Sequence, residues 1–107
     1  MTAHKYHAIP TEVDGILFAS RLEARRYSEL RLMGQAGEIR DLELQPRYPI
    51  RINGQLVCTY VADFRYFDVQ RNREVVEDVK GVRTREFVLK KKLVKAVYGI
   101  DIEEVTA

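Results

Sequence analysis

At 107 residues and 12.5 kDa the chain has the size of one domain with one core, so a second domain is excluded. Apolar residues make up 46% and charged residues 32%, which argues against wholesale disorder, and no apolar run approaches the roughly 20 residues that a membrane-spanning helix needs. A net charge of +2, from 18 basic and 16 acidic residues, is too near neutral to announce a nucleic-acid binder by composition. The start, Met1-Thr2-Ala3-His4-Lys5, leads into no signal-peptide core, so a cytoplasmic location is expected. The lone Cys58 excludes an internal disulfide and a thiol-based zinc site.

No internal repeat, low-complexity tract or Pro/Gly/Ser linker divides the chain. One domain over residues 1–107 is expected, with residues 1–19 as an N-terminal arm and short hairpin and residues 20–107 as the core. Val13-Asp14-Gly15-Ile16 predicts a tight hairpin, because Asp-Gly tolerates the positive φ angles of the favoured two-residue turn. Ser20-Arg21-Leu22-Glu23 fits a capping box, and Leu22, Ala24, Tyr27, Leu30 and Met33 give the apolar stripe of a helix over residues 20–35, stopped by Gly34 and Gly37. Residues 39–44 alternate imperfectly up to Gln45-Pro46 and read as a short strand or extended segment. Asn53-Gly54 predicts a second hairpin, whose outgoing strand is expected to run unbroken over residues 57–68. After the polar turn Val69-Gln70-Arg71-Asn72-Arg73 comes a strand over residues 74–80, ended by Gly81. Thr84 caps a second helix to about Tyr98, with Leu89, Leu93, Ala96 and Val97 on one flank and Arg85, Lys91, Lys92 and Lys95 on the other. Gly99 ends it, and residues 100–105 can add a last strand. The order is α+β, sandwich-like, and says nothing about activity by itself.

Specific side chains say more. Strand alternation puts Val76, Asp78 and Lys80 on one face and Val75, Glu77 and Val79 on the other; upstream, Val61, Asp63, Arg65 and Phe67 share a side, opposite Ala62, Phe64 and Tyr66. The turn at Arg71 lays the two strands side by side, so Asp63 and Asp78 are expected to be neighbours with Lys80 beside them. Glu77, on the wrong face, reads as a surface residue. Converging carboxylates repel unless something positive lies between them, and hard oxygen donors suit Mg²⁺, with Mn²⁺ expected to substitute. Such a cation lowers the pKa of water and neutralises a phosphate oxygen, while an ammonium orients the nucleophile or stabilises developing charge, which is what phosphodiester hydrolysis needs. The plain alternative for Asp78 and Lys80 is an exposed cross-strand charge ladder.

Asp63, a spacer within a hairpin and then Asp78-Val79-Lys80 resemble the pattern of the PD-(D/E)XK nuclease superfamily, the restriction-endonuclease-like fold. The acid-X-Lys motif alone recurs by chance in charged strands, so longer segments carry the resemblance. These are Lys5-Tyr6-His7, Thr11-Glu12-Val13-Asp14-Gly15-Ile16, Ser20-Arg21-Leu22-Glu23-Ala24, Leu42-Glu43-Leu44-Gln45-Pro46-Arg47-Tyr48, Tyr60-Val61-Ala62-Asp63-Phe64 and Val76-Glu77-Asp78-Val79-Lys80-Gly81. Together they cover nearly the whole chain and look like a small, mostly phage-borne group of that superfamily. The resemblance implies an αβββαβ core, a mixed sheet flanked by two helices, in a Mg²⁺-dependent DNA endonuclease serving phage DNA recombination or processing in a bacterial or phage-infected cell. In that role Asp63 and Asp78 hold the metal and Lys80 assists the attacking water. Glu23 completes the acidic cluster by binding a second ion or orienting water, unless it serves only its capping box. Ala62 stands where the pattern has Pro, a common variation.

Charge is unevenly placed. Lys80, Arg83, Arg85, Lys90, Lys91, Lys92 and Lys95 face a single acid, Glu86, within one stretch, and Asp101, Glu103 and Glu104 form an acidic tail. Arg83, Arg85, Lys91, Lys92 and Lys95 are candidates for sequence-independent phosphate contacts, against the plain reading of a solvated helix face. The Gln45 amide is a candidate for bonding phosphate or orienting water, or is a turn amide. Tyr48, Tyr60, Phe64, Tyr66 and Phe67 are assigned to packing, and His4 and His7 stay outside the metal site, with His7 able to approach phosphate. DNA is the expected partner, with no small-molecule cofactor and no membrane, and by analogy a homodimer presenting two sites is expected, with junction resolution as a consequence. The rivals are a noncatalytic nucleic-acid-binding module on the same fold and a structural phage protein.

Overall fold

The computed structural model describes residues 8–106, so His4 and His7, with the Lys5-Tyr6-His7 segment, lie outside the described residues. Asp14 and Gly15 take φ angles of 54° and 76° and fold β1 (Thr11–Val13) onto β2 (Ile16–Phe18). The hairpin packs on α1 (Arg21–Gln35), where Asp14 receives the Tyr27 hydroxyl at 3.0 Å and pairs with Arg31 at 2.9 Å. Ser20 is extended and its side-chain oxygen accepts the Glu23 amide at 3.1 Å, satisfying one of the donors that a helix start leaves open. Ser20→Ala is therefore expected to cost about 1 kcal/mol, seen as a lower urea midpoint with an unchanged slope. Gly34 lies inside the helix; the stop comes at Gly37, with φ 77°, where the Glu38 amide reaches back to the Met33 carbonyl at 2.9 Å.

Then follow β3 (Ile39–Leu44), β4 (Arg47–Ile52), β5 (Gln55–Val61), β6 (Phe64–Asp68), β7 (Arg73–Val79), α2 (Arg85–Tyr98) and β8 (Glu103–Val105). One four-stranded mixed sheet runs β3-β6-β7-β8, antiparallel except that β8 lies parallel to β7; β4 and β5 form a separate two-stranded ribbon. The imperfect alternation of β3 has a cause in its register shift between Arg40 and Glu43, where Asp41 adopts φ 58°.

The strand expected to run unbroken over residues 57–68 breaks at Ala62 and Asp63. Val61 still pairs with Arg47 of the ribbon, and the Ala62 amide bonds the Pro46 carbonyl at 3.1 Å, but the Asp63 amide bonds the Glu77 carbonyl of β7, also at 3.1 Å. Within two residues the backbone changes partners from β4 to β7. The faces change with it. Ala62 packs with Tyr48, Ile50, Tyr60, Val76, Phe87, Val94 and Ile102 beneath α2, whereas Phe64 and Tyr66 pack with Phe18, Leu30, Ile39 and Val75 beneath α1. The sheet thus has a helix and an apolar core on each face, with Val75 and Val76 pointing into opposite cores. The class is α+β, with a mixed sheet and two helices.

Thr84 caps α2 through the Phe87 amide at 3.1 Å, and Gly99, with φ 72°, terminates it. Phe87 and Val94 form its buried seam; Leu89, Ala96 and Val97, expected on the apolar flank, are exposed, and only Leu93 of that set packs against the core. No helix among the described residues is long and apolar enough to cross a membrane.

Candidate functional site

Where β7 ends, its alternation sends consecutive carboxylates to opposite faces: Glu77 toward α1 and Asp78 toward α2, at 1% and 4% exposure. Asp63, in the bend between β5 and β6, is fastened twice to the same stretch and once to the turn after β3. Its amide bonds the Glu77 carbonyl, its carbonyl accepts the Gln45 amide at 2.9 Å, and its Oδ2 accepts the Val79 amide at 2.7 Å. This brings the Asp63 and Asp78 carboxyls together in the lining of one cleft. Lys80 Nζ stands 3.3 Å from Asp78 Oδ1 and 4.1 Å from the centre of the Phe87 ring, so an ion pair and a cation–π contact both hold it. From α1, the charge of Glu23 acts on Asp63 and raises its carboxyl. Asp63, Asp78 and Lys80 therefore share one cleft, whereas Glu23 is not among the residues that line it.

The electrostatics follow from burial. Desolvation pushes the Asp78 carboxyl up to about 7; the neighbouring Asp63 carboxyl adds to this, and the Tyr60 hydroxyl and Lys80 ammonium oppose it. Asp63 is also raised, first by desolvation and then by Glu23, against the lowering effect of the Asp78 carboxyl and the Val79 amide. Burial thus leaves Asp78 titrating near neutrality beside a second raised carboxyl, where a cation could take the place of its proton.

Tyr60 was assigned to packing, yet its hydroxyl donates to Asp78 Oδ2. A buried phenol needs a polar partner, and Tyr60 three residues before Asp63 is the signal the sequence carries. Lys90, also outside the predicted set, lines the same cleft of about 340 Å³ with Tyr60, Asp63, Asp78, Lys80 and Phe87, and pairs with Glu86 at 2.9 Å. Glu77 corrects an expectation: it is not a surface residue. Arg26 of α1 donates to it through Nε at 2.9 Å and Nη2 at 2.6 Å, and the Tyr66 hydroxyl donates to Oε2. The wrong face for the acidic cleft is still a buried face, because α1 covers it.

The predicted phosphate-binding residues do not gather at the acidic pair. Arg83 and Lys91 both pair with Glu104 at 2.7 Å, and Lys95 pairs with Asp101 at 2.8 Å. With Lys92 they line a second groove of about 400 Å³ whose lining shares no residue with the acidic cleft. Arg85 is exposed and carries no ion pair among the described residues. Gln45 is exposed, in the left-handed region at φ 52°, and meets Asp63 through its backbone amide.

A family model described as a protein of unknown function (DUF1064) matches residues 3–104. The chain belongs to the DUF1064 family. No curated protein matches it. The match spans every element of this DUF1064 chain except the last residue of β8, so the acidic pair, Lys80 and both helices all fall inside it.

The donor set could hold a hard divalent cation. No group of three His, Cys, Asp or Glu side chains among the described residues forms a ready cage, as a structural zinc or calcium site would require. Two adjacent carboxylates in a cleft are instead what Mg²⁺ takes, since it keeps several waters and binds through one or two carboxylates plus substrate phosphate.

Proposed function

We propose that this protein is a divalent-metal-dependent DNA endonuclease of the restriction-endonuclease-like fold, with Asp63, Asp78, Lys80 and Glu23 at its centre. The observation that carries this reading is that Asp63 and Asp78 line one cleft with the Lys80 ammonium 3.3 Å from Asp78. Supporting it, the four-stranded sheet and its helices follow the order α1-β3-β6-β7-α2-β8, an αβββαβ sequence with the β4–β5 ribbon inserted after its first strand. The likeness of the sequence segments to the PD-(D/E)XK group rests on the same residues.

Asp63 and Asp78 would hold Mg²⁺ or Mn²⁺, and the bound ion would supply charge neutralisation on the phosphate and a lowered pKa for the attacking water. Lys80, fixed between Asp78 and Phe87, directs its ammonium at charge developing on the phosphate or nucleophile. Tyr60 holds one Asp78 oxygen through its hydroxyl. Lys90, in the same cleft, offers a phosphate contact once it leaves Glu86. A second copy of the chain would supply the second site needed to cut two strands.

Metal uptake must displace the Asp78 proton. Calorimetry with Mn²⁺ in buffers of different ionisation enthalpy is expected to show proton release near pH 6.5, and affinity that rises until the pH passes about 7 and then levels. Pure enthalpy independent of buffer would count against the pair as the ligands.

The deciding experiment incubates purified protein with supercoiled, branched and single-stranded DNA, with and without Mg²⁺ or Mn²⁺. Cleavage of at least one substrate only when metal is present is expected. Salt-sensitive binding of all three without cleavage would instead leave a noncatalytic nucleic-acid-binding module on the same fold.

A further inference from the structure

The most deeply buried ion pair among the described residues lies across β7 from the acidic cleft. Glu77 accepts a two-pronged guanidinium contact from Arg26 and a hydroxyl from Tyr66, and Arg26 spends its remaining Nη1 on Glu29 at 3.0 Å. No buried side-chain polar atom is left unpaired among the described residues. As a source of stability such a network is poor, because desolvating both charges costs about what their attraction returns and an apolar trio of similar volume serves as well. What it does provide is position. A planar fork on a carboxylate fixes both distance and rotation, whereas apolar surfaces tolerate sliding.

Each acid of the cluster is one step from that fork. Arg26 lies on the same face of α1 as Glu23, three residues on. Glu77 is joined to Asp78 by a peptide bond, and its carbonyl receives the Asp63 amide at 3.1 Å. We infer that Arg26, Glu77 and Tyr66 are positioning residues for the hydrolytic site, a clamp that sets α1 on β7 and with it the placement of Asp63 and Asp78 at the end of that strand. The clamp touches neither metal nor substrate. This inference rests on the nuclease reading.

The test compares wild type with the double variant Arg26→Met/Glu77→Met, with Glu77→Gln, which keeps the size and part of the hydrogen bonding, and with Tyr66→Phe. The double variant is expected to melt within a few degrees of wild type and keep its KM for DNA, while kcat falls about 10- to 100-fold, the scale at which small misplacements cost rate. Glu77→Gln is expected to recover most of that loss. Mn²⁺ affinity measured without DNA is expected to fall at least threefold in the double variant. Should the double variant not fold, Tyr66→Phe is read in its place, with a several-fold drop in kcat at constant KM. The clamp is overturned if kcat and Mn²⁺ affinity stay within twofold of wild type in a folded variant while Asp78→Asn is inert. Failure of the nuclease reading looks different: wild type then neither takes up Mn²⁺ nor cuts DNA, and the clamp has no site to serve.

Discussion

Asp78→Asn is expected to abolish divalent-ion-dependent cleavage and, in the metal-free protein above pH 7, to raise stability. The two effects have one origin. Burial lifts the Asp78 carboxyl from its ordinary 3.8 to about 7, so the folded form keeps a proton that the unfolded chain releases. That contribution is fully present at low pH and is lost as pH rises through about 7; between pH 6 and pH 8 the metal-free wild type should lose on the order of 1 kcal/mol. An amide of the same shape carries no charge to desolvate, so the variant's melting temperature should be nearly level over this window and exceed that of wild type at pH 8. Activity is expected to move the other way, because on the proposed nuclease reading the variant lacks one of two metal-holding carboxylates; a fall of about 10³-fold or more in kcat is expected. Asp63→Asn should match it, and the double variant should fall little further, since groups acting as a unit are not additive. A variant that kept its cleavage, or lost stability at pH 8, would remove Asp78 from the metal site.

Much of this cluster was legible from the sequence because it depends on short-range rules. Ser20 and Thr84 declare helix starts, and Asp14-Gly15 and Asn53-Gly54 declare turns whose positive φ angles fix the hairpins. The polar turn between β6 and β7 fixes their register at Phe64 opposite Glu77, which leaves Asp63 beside Asp78. What alternation could not show was the partner exchange at Ala62 and Asp63. Apolar residues continue through the break, and only the tertiary hydrogen bonds reveal that the backbone has moved to another sheet. Glu77 was misplaced for a related reason. Alternation assigns a face but not what covers it, and the identity of the cover was written in Arg26, fifty-one residues away. Leu89 and Val97 show the converse, an apolar helix flank that the ribbon and sheet leave uncovered.

The second large effect is an asymmetry in the buried pair. Arg26→Ala leaves the Glu77 carboxylate 1% exposed with the Tyr66 hydroxyl as its remaining side-chain donor. Glu77→Ala leaves a guanidinium whose side chain is one fifth exposed (20%) and still paired with Glu29. Orphaning a buried charge typically costs about 3–5 kcal/mol, a large part of the roughly 5–15 kcal/mol that holds a domain folded. Arg26→Ala should approach that cost, and Glu77→Ala should fall short of it by about 1–2 kcal/mol, because its survivor can reach water along a flexible stem. Urea denaturation of both single variants and the double alanine variant closes a thermodynamic cycle, in which the double should cost clearly less than the two singles summed. Equal and small costs for the two singles would mean that water already reaches Glu77, and α1 would then rest on β7 by apolar contact alone. The expected order, with the helix-side deletion worse than the strand-side deletion, would instead show that β7 carries its charge into the interior and depends on α1 to meet it there.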